Sequence, residues 1–400
     1  MKREEGFSLI ELIVAMAIMT LLVGTAISAL YQAQNATNVI AQEANTQENL
    51  RAGMHFIVRD LMQAGEGIPA QGISLPNTAA GLSTIKRPTG GTFPNNPVAF
   101  SAIVPGYQQG QAATTVNPTT NAVLTGGNTD TITIFYADNS LVSSAAGPGG
   151  VAAPPLNAYP VKQAAPATPV CTGSIAASGL TVVLAPTCFT LPGTPTPIQA
   201  GDLILFSNAN GTALEYVTNV AGTTLTFSAG DPAGLNQTGL PNGTVAAINA
   251  SAVPTVITRV WMVTYYIDAT TNPSKPQLVR QINYPGFPAA APTYPAQQIA
   301  DCIEWMNFSY DIINSVAPAG TYPNGPGDAP APSGVVGALD NAFQIRAVNA
   351  LLSGRSEYPL TTQGKSSYFR NNLSTQVSIR SVAFVNQFNT SATAPTAPVP

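Results

Sequence analysis

The residue that most demands a chemical explanation is Glu11. It is the only ionisable group in the 24-residue apolar run Phe7 to Leu30, FSLIELIVAMAIMTLLVGTAISAL. Placing a carboxylate inside a bilayer costs on the order of 2.5–3.5 kcal/mol at the centre of a span and less near the interface, so Glu11 needs a cation or the headgroup layer. No basic residue lies within the run. One reading puts Glu11 at shallow depth, reaching the headgroups. The other gives it a cation from a second chain. Cleavage after Gly6 would create that cation, because the new amine of Phe7 sits four positions from Glu11 at a similar membrane depth.

Little else in the chain supports chemistry. His55 is the sole histidine of 400 residues, so serine-histidine and cysteine-histidine systems and most catalytic zinc sites would all have to recruit it. Asp231, Asn236 and Asn242 lie in a Gly-rich stretch but lack the acidic spacing of a calcium loop, and ordinary turn chemistry is expected of them. Asp301, Glu304 and Asp311 are not spaced for paired-carboxylate catalysis, and no complete Gly-x-x-x-x-Gly-Lys-Ser/Thr phosphate loop occurs. The expectation is therefore no catalytic residue, no metal, no cofactor and no enzyme. Charged residues make up only 8% of the chain and the formal net charge is −4, which gives no field of one sign to draw nucleic acid. Of the three cysteines, Cys171 and Cys188 bracket a strand near Leu180. They are the expected disulfide pair of an extracytoplasmic head, worth about 3 kcal/mol for a loop of this size. Cys302 is left as a buried small hydrophobe.

The elements that must position Glu11 begin with the run itself. A helix of this length reaches roughly 36 Å, enough to cross a hydrocarbon core of about 30 Å. Lys2 and Arg3 precede it and place the N-terminus in the cytoplasm. Gly24 to Ala29 offers small residues, yet the helical pattern continues past them, unlike a cleaved secretory signal. Ile40, Leu50, Met54, Ile57, Val58 and Leu61 carry a helical stripe onward, and no proline occurs before Pro69. One helix of about 55 to 60 residues is expected, with Arg51, His55 and Arg59 forming a solvated basic stripe beside Glu48 and Asp60.

After Gly65-Glu66-Gly67 the composition changes to short β-favouring runs divided by Gly, Pro, Asn and Thr. Strands are expected at Thr131–Tyr136, Leu180–Leu184, Arg259–Ile267, Pro276–Ile282, Cys302–Tyr310, Ala342–Leu352 and Gln376–Phe384. A meander is expected from Asp202–Phe206, Ala213–Val217 and Thr224–Phe227. The fold class is α+β: a long N-terminal transmembrane and amphipathic helix packed on a mostly antiparallel β-sheet head. The expected organisation is a leader at 1–6, a membrane half-helix at 7–30, an extracytoplasmic half-helix at 31–65, a head at 66–389 and a disordered tail at 390–400. Ala-, Pro- and Gly-rich insertions at 143–170 and 316–334 hold too few large apolar residues to offset backbone ordering and are expected to be mobile.

Gly6-Phe7-Ser8-Leu9-Ile10-Glu11 followed by an apolar helix resembles the class III signal of type IV pilins and pseudopilins. The resemblance implies cleavage between Gly6 and Phe7 by a prepilin peptidase and N-methylation of Phe7. It also implies a salt bridge from Glu11 to the Phe7 amine of a neighbouring subunit. Within that family the head resembles the PilW-like minor pilins at five places: Phe56 to Gly65, Gly201 to Leu205, Arg259 to Ile267 with Leu278-Val279-Arg280, Ile303 to Met306, and Ile345 to Val348 with Arg355. What this implies is a minor pilin that primes or caps a type IV pilus. Its partners would be other major and minor pilins, the prepilin peptidase and the inner-membrane assembly platform, with no nucleic acid contacted directly. The implied location is the bacterial inner membrane, single-pass, with the head in the periplasm or outside, and then the filament. A type II secretion tip pseudopilin would carry the same N-terminus, and a tip-displayed adhesin would use the Pro/Gly insertions.

Overall fold

With no proline to interrupt it, a single helix runs Leu9–Gln63, 55 residues and about 80 Å long, in the computed structural model. The structure describes residues 8–69, 72–78, 81–82, 85–93, 99–116, 120, 122–138, 159–162, 174–184, 198–249, 253–285, 294–312, 320–322, 342–362 and 365–379. Gly65 and Gly67, both at positive φ, stop the helix. The Gly65 N–H then donates to Phe135 O at 2.8 Å and the Ala137 N–H to Glu66 O at 2.7 Å, so the turn after the helix is hydrogen-bonded to a sheet strand.

Burial divides the helix. Nothing is buried until Thr46; then Leu50, Gly53, Met54, Ile57, Asp60 and Leu61 form one face at three- and four-residue steps. Ile40, which the sequence placed on this stripe, is 66% exposed, because the head reaches only the last five turns or so of the helix. At Gly53 a Cβ would stand 2.7 Å from Leu278 Cδ2 and 3.3 Å from Leu352 Cδ1, so here the helix backbone nearly touches both sheets of the head.

The larger sheet has eight strands, all antiparallel, built around Thr255–Asp268. One side of this strand pairs with Leu203–Asn208 and then Gln277–Ile282, the other with Tyr159–Lys162 and then Thr131–Ala137. Gln297–Asp301, Ile103–Gly106 and Gly211–Tyr216 complete it. The second sheet is Gly320–Tyr322, Ile303–Ile312, Ile345–Arg355 and Arg370–Ser378, again antiparallel. Cys302, at φ 57° and 3% exposed, is the one residue between Gln297–Asp301 and Ile303–Ile312, where the chain leaves the first sheet for the second. It is a free thiol, and burial pushes it up to about 11. The helix face, both sheets and their apolar residues share one core that includes Leu50, Ile57, Tyr265, Leu278, Phe308 and Leu352.

Several expectations are corrected. The meander is a hairpin of Leu203–Asn208 with Gly211–Tyr216. Thr224–Thr226 instead joins Asn219–Ala221, Thr181–Val183 and Ser174–Ile175 in a separate four-stranded sheet, whose Val182 and Leu225 share a core with Ile204, Phe206, Ala213 and Ile257 of the large sheet. Ala342–Gln344 is a 3-10 turn before Ile345–Arg355. The last strand is Arg370–Ser378, six residues before the expected start, and the expected strand beyond Ile379 lies outside the described residues. Both insertions contain a paired strand, Tyr159–Lys162 and Gly320–Tyr322, which the expectation of mobile linkers did not allow. The rest of each insertion and the tail at 390–400 lie outside the described residues.

Candidate assembly site and the helix lock

Glu11 occupies the first turn of the helix. Ser8, in extended conformation at the N-cap position, donates its backbone N–H to Glu11 Oε2 at 3.1 Å. The carboxylate thus satisfies a donor that the helix start leaves open. Around it the helix is bare: an 18-residue window has a mean hydropathy of 2.3 with none of it buried, and Leu9 and Ile10 are 78% and 68% exposed. Thr20 and Thr25 each return their hydroxyl to the carbonyl three residues earlier, at 2.9 Å, so they leave no unmet donor on the apolar surface. Such a cylinder must be covered by lipid tails or by other helices. Gly6 and Phe7 lie outside the described residues, as do Cys171 and Cys188.

The other residues singled out in the sequence stay apart. Arg51 and His55 are exposed on the helix, and Arg59, also exposed, turns toward Asp60 at the edge of the head. Asp231 accepts the backbone N–H groups of Ala233, Leu235 and Asn236 at 2.9–3.1 Å, and Asn236 ties Tyr216 to this turn, so their polar groups serve local structure. Asn242 donates to Asn77 instead. Asp301 pairs with Lys275, Glu304 with Arg355 and Arg370, and Asp311 accepts from Asn349 and Gln376. The three carboxylates thus have three separate sets of partners.

What the sequence did not reveal is the role of Asp60. Instead of flanking a solvated stripe, it is fully buried on the docking face. There Arg280 donates from Nε at 2.6 Å, Tyr265 donates its hydroxyl at 2.6 Å, and Arg59 approaches at 3.3 Å. Arg280 also reaches Tyr136 Oη at 3.4 Å. Burial, with the nearby Asp60 charge, pushes the Tyr136 hydroxyl up to about 12 and Tyr265 higher still, so both remain donors at any physiological pH. A second buried group lies beside it: Arg259 pairs with Asp138 and, at 3.3 Å, with Asp202, which also accepts from Tyr294. Burial raises the Asp202 carboxyl and the Arg259 charge opposes the rise. The signal for Asp60 was available in its spacing, seven residues after Gly53 and three after Ile57, which puts it on the apolar face.

The N-terminal geometry can now be set beside known proteins. Residues 1–27 match the family model described as the prokaryotic N-terminal methylation motif. The motif indicates a type IV pilin-like or pseudopilin protein, and it implies processing by a prepilin peptidase and handling by pilin assembly machinery. Together with the bare apolar helix it indicates membrane anchoring. No curated protein and no solved structure matches the chain.

Proposed function

We propose that this protein is a minor pilin of PilW-like type that primes or caps a type IV pilus after cleavage between Gly6 and Phe7. It would be inserted once in the bacterial inner membrane with the head in the periplasm, and its partners would be other pilins and the assembly platform. The observation that supports this best is the apolar first part of the helix, unburied from Leu9 to Leu30, with Glu11 as its single charge. In lipid, apolar packing alone gives helices little preference for one register, whereas a buried charge pair penalises every register that leaves it unmade. The Phe7 amine of a neighbour meeting Glu11 would supply that selection. No catalytic role is proposed.

Mass spectrometry of the mature N-terminus tests the processing. The expected species begins at N-methylated Phe7, and a chain starting at Met1, or cut beyond residue 29, contradicts the proposal. A type II secretion tip pseudopilin would share this N-terminus. Co-purification with pilus subunits or with secretion pseudopilins distinguishes the two.

A further inference from the structure

Where the helix ends, the structure opens a cleft of about 370 Å³ between the last helical turn and the large sheet. This lies within the size range of small-ligand pockets, about 300–1,000 Å³. The helix side is Arg59, Asp60, Gln63 and Glu66; the sheet side is Tyr136, Asp138 and Trp261.

The walls are held from behind. Asp60 is fixed by Arg280 and Tyr265, Asp138 by Arg259, and Glu66 belongs to the turn whose backbone is bonded to Phe135 and Ala137. Trp261 is half-buried, with the Arg259 guanidinium 4.9 Å from the ring centroid and Tyr294 edge-on at 5.4 Å. Arg59 is laid over Phe56 at 4.7 Å and keeps 45% of its side chain exposed. These groups are positioned before any ligand arrives, which lowers the ordering cost of binding.

The chemistry of the lining selects the ligand class. An anion would meet the exposed Glu66 carboxylate, while the guanidinium groups behind the walls are already paired with Asp60 and Asp138. A metal ion would find Asp60 and Asp138 already engaged by guanidinium groups. A cation would meet Arg59 at the cleft and Arg259 behind the indole. An apolar ligand would leave the charged side chains unmatched. A neutral molecule dense in hydroxyls fits, because each hydroxyl both donates and accepts and so serves the exposed Glu66 carboxylate, the Arg59 guanidinium and the Gln63 amide together. Its C–H faces can lie against the indole.

We propose that this cleft binds a neutral pyranose unit of a glycan. The proposal goes beyond the minor-pilin reading and does not depend on filament entry, since binding is measured on the unassembled protein.

The test is calorimetry and ligand-observed NMR on the full chain, in a detergent without a sugar headgroup. The probes are methyl glucopyranoside, methyl galactopyranoside and methyl N-acetylglucosaminide. At least one should bind saturably, and Gln63→Ala and Trp261→Phe should each weaken it at least about fivefold. If Trp261→Phe lowers the melting temperature, the exposed Gln63→Ala decides. The proposal is overturned if no probe saturates at tens of millimolar or if Gln63→Ala binds as the parent does. It also falls if lysine methyl ester or sulfate, and none of the sugars, shows binding sensitive to these variants.

Discussion

At the scale of single residues the buried charges of the head have opposite consequences for stability. Asp60 joins the helix to the head, since its carboxylate accepts from Arg280 and Tyr265 on two different strands of the large sheet. Removing one member of a buried ion pair strands the other, at a cost of about 3–5 kcal/mol. Asp60→Ala should therefore lower the denaturation midpoint of the head sharply. Asp60→Asn, which keeps an acceptor without the charge, should lower it less. Unfolding of Asp60→Ala indistinguishable from the parent would remove the lock from the account. Glu215 is the reverse case. It sits 3% exposed beside Ala213 and opposite Ile204, and its carboxylate accepts the Val245 N–H at 3.3 Å. Burial raises this carboxyl well above its ordinary range, and nearby Asp231 adds to the rise. A folded-state value raised above the unfolded one means the proton is held more tightly in the native protein. Stability is then fullest below the ordinary carboxyl value and declines as the pH climbs from there toward the raised value. Glu215→Gln can still accept the Val245 N–H and carries no charge to bury. Thermal unfolding should show it more stable than the parent at pH 8, with the gap closing toward pH 4; a gap that is constant or inverted would mean Glu215 is ionised comfortably in the fold.

Elements with a repeating pattern were legible in the sequence, and those without one were not. The helix was readable because Leu50, Met54, Ile57 and Leu61 repeat on one face and proline is absent. The strands at Thr131–Ala137 and Thr255–Asp268 were readable because β-branched and aromatic residues concentrate there. Arg370–Ser378 was misplaced for a physical reason: its inward positions are Leu373, Thr375 and Val377, and its outward ones Asn372, Ser374 and Gln376, a contrast too weak to register. The hairpin Ala112–Val116 with Val123–Asn128 was missed because most of its described residues are part-exposed or exposed, so no alternation marks it. Nor could turn signals say which edge a strand joins. Thr224–Thr226 follows Gly211–Tyr216 closely in the chain yet pairs with Thr181–Val183, since Val182 and Leu225 bury together there. The candidate site was legible at Glu11 because its cost is written in the local sequence. The lock was not, because the partners of Asp60 are 205 and 220 residues away.

At the scale of the whole molecule the helix has two jobs in sequence. Residues 46–61 supply the buried face that fastens the head, while every residue from 9 to 38 is exposed. Whatever covers the apolar part must come from outside, and one charge is present there to choose the cover. This makes Glu11→Ala the informative variant. Glu11 lies five residues beyond the Gly6–Phe7 bond, and alanine is a better helix former than glutamate, so neither cleavage nor the helix should suffer. The mature, methylated chain should accumulate in the membrane at the parental level. Its recovery in sheared filaments should fall by about tenfold or more, the change that a loss of roughly 1.4 kcal/mol produces. Glu11→Gln separates charge from hydrogen bonding, because it keeps an acceptor for the Ser8 N–H and loses the ion pair. It should behave like the alanine variant. If Glu11→Gln enters filaments as the parent does, the contact to Ser8 is what matters and the charge pair is not. If Glu11→Ala also enters normally, the apolar surface alone directs assembly and the pairing role is lost.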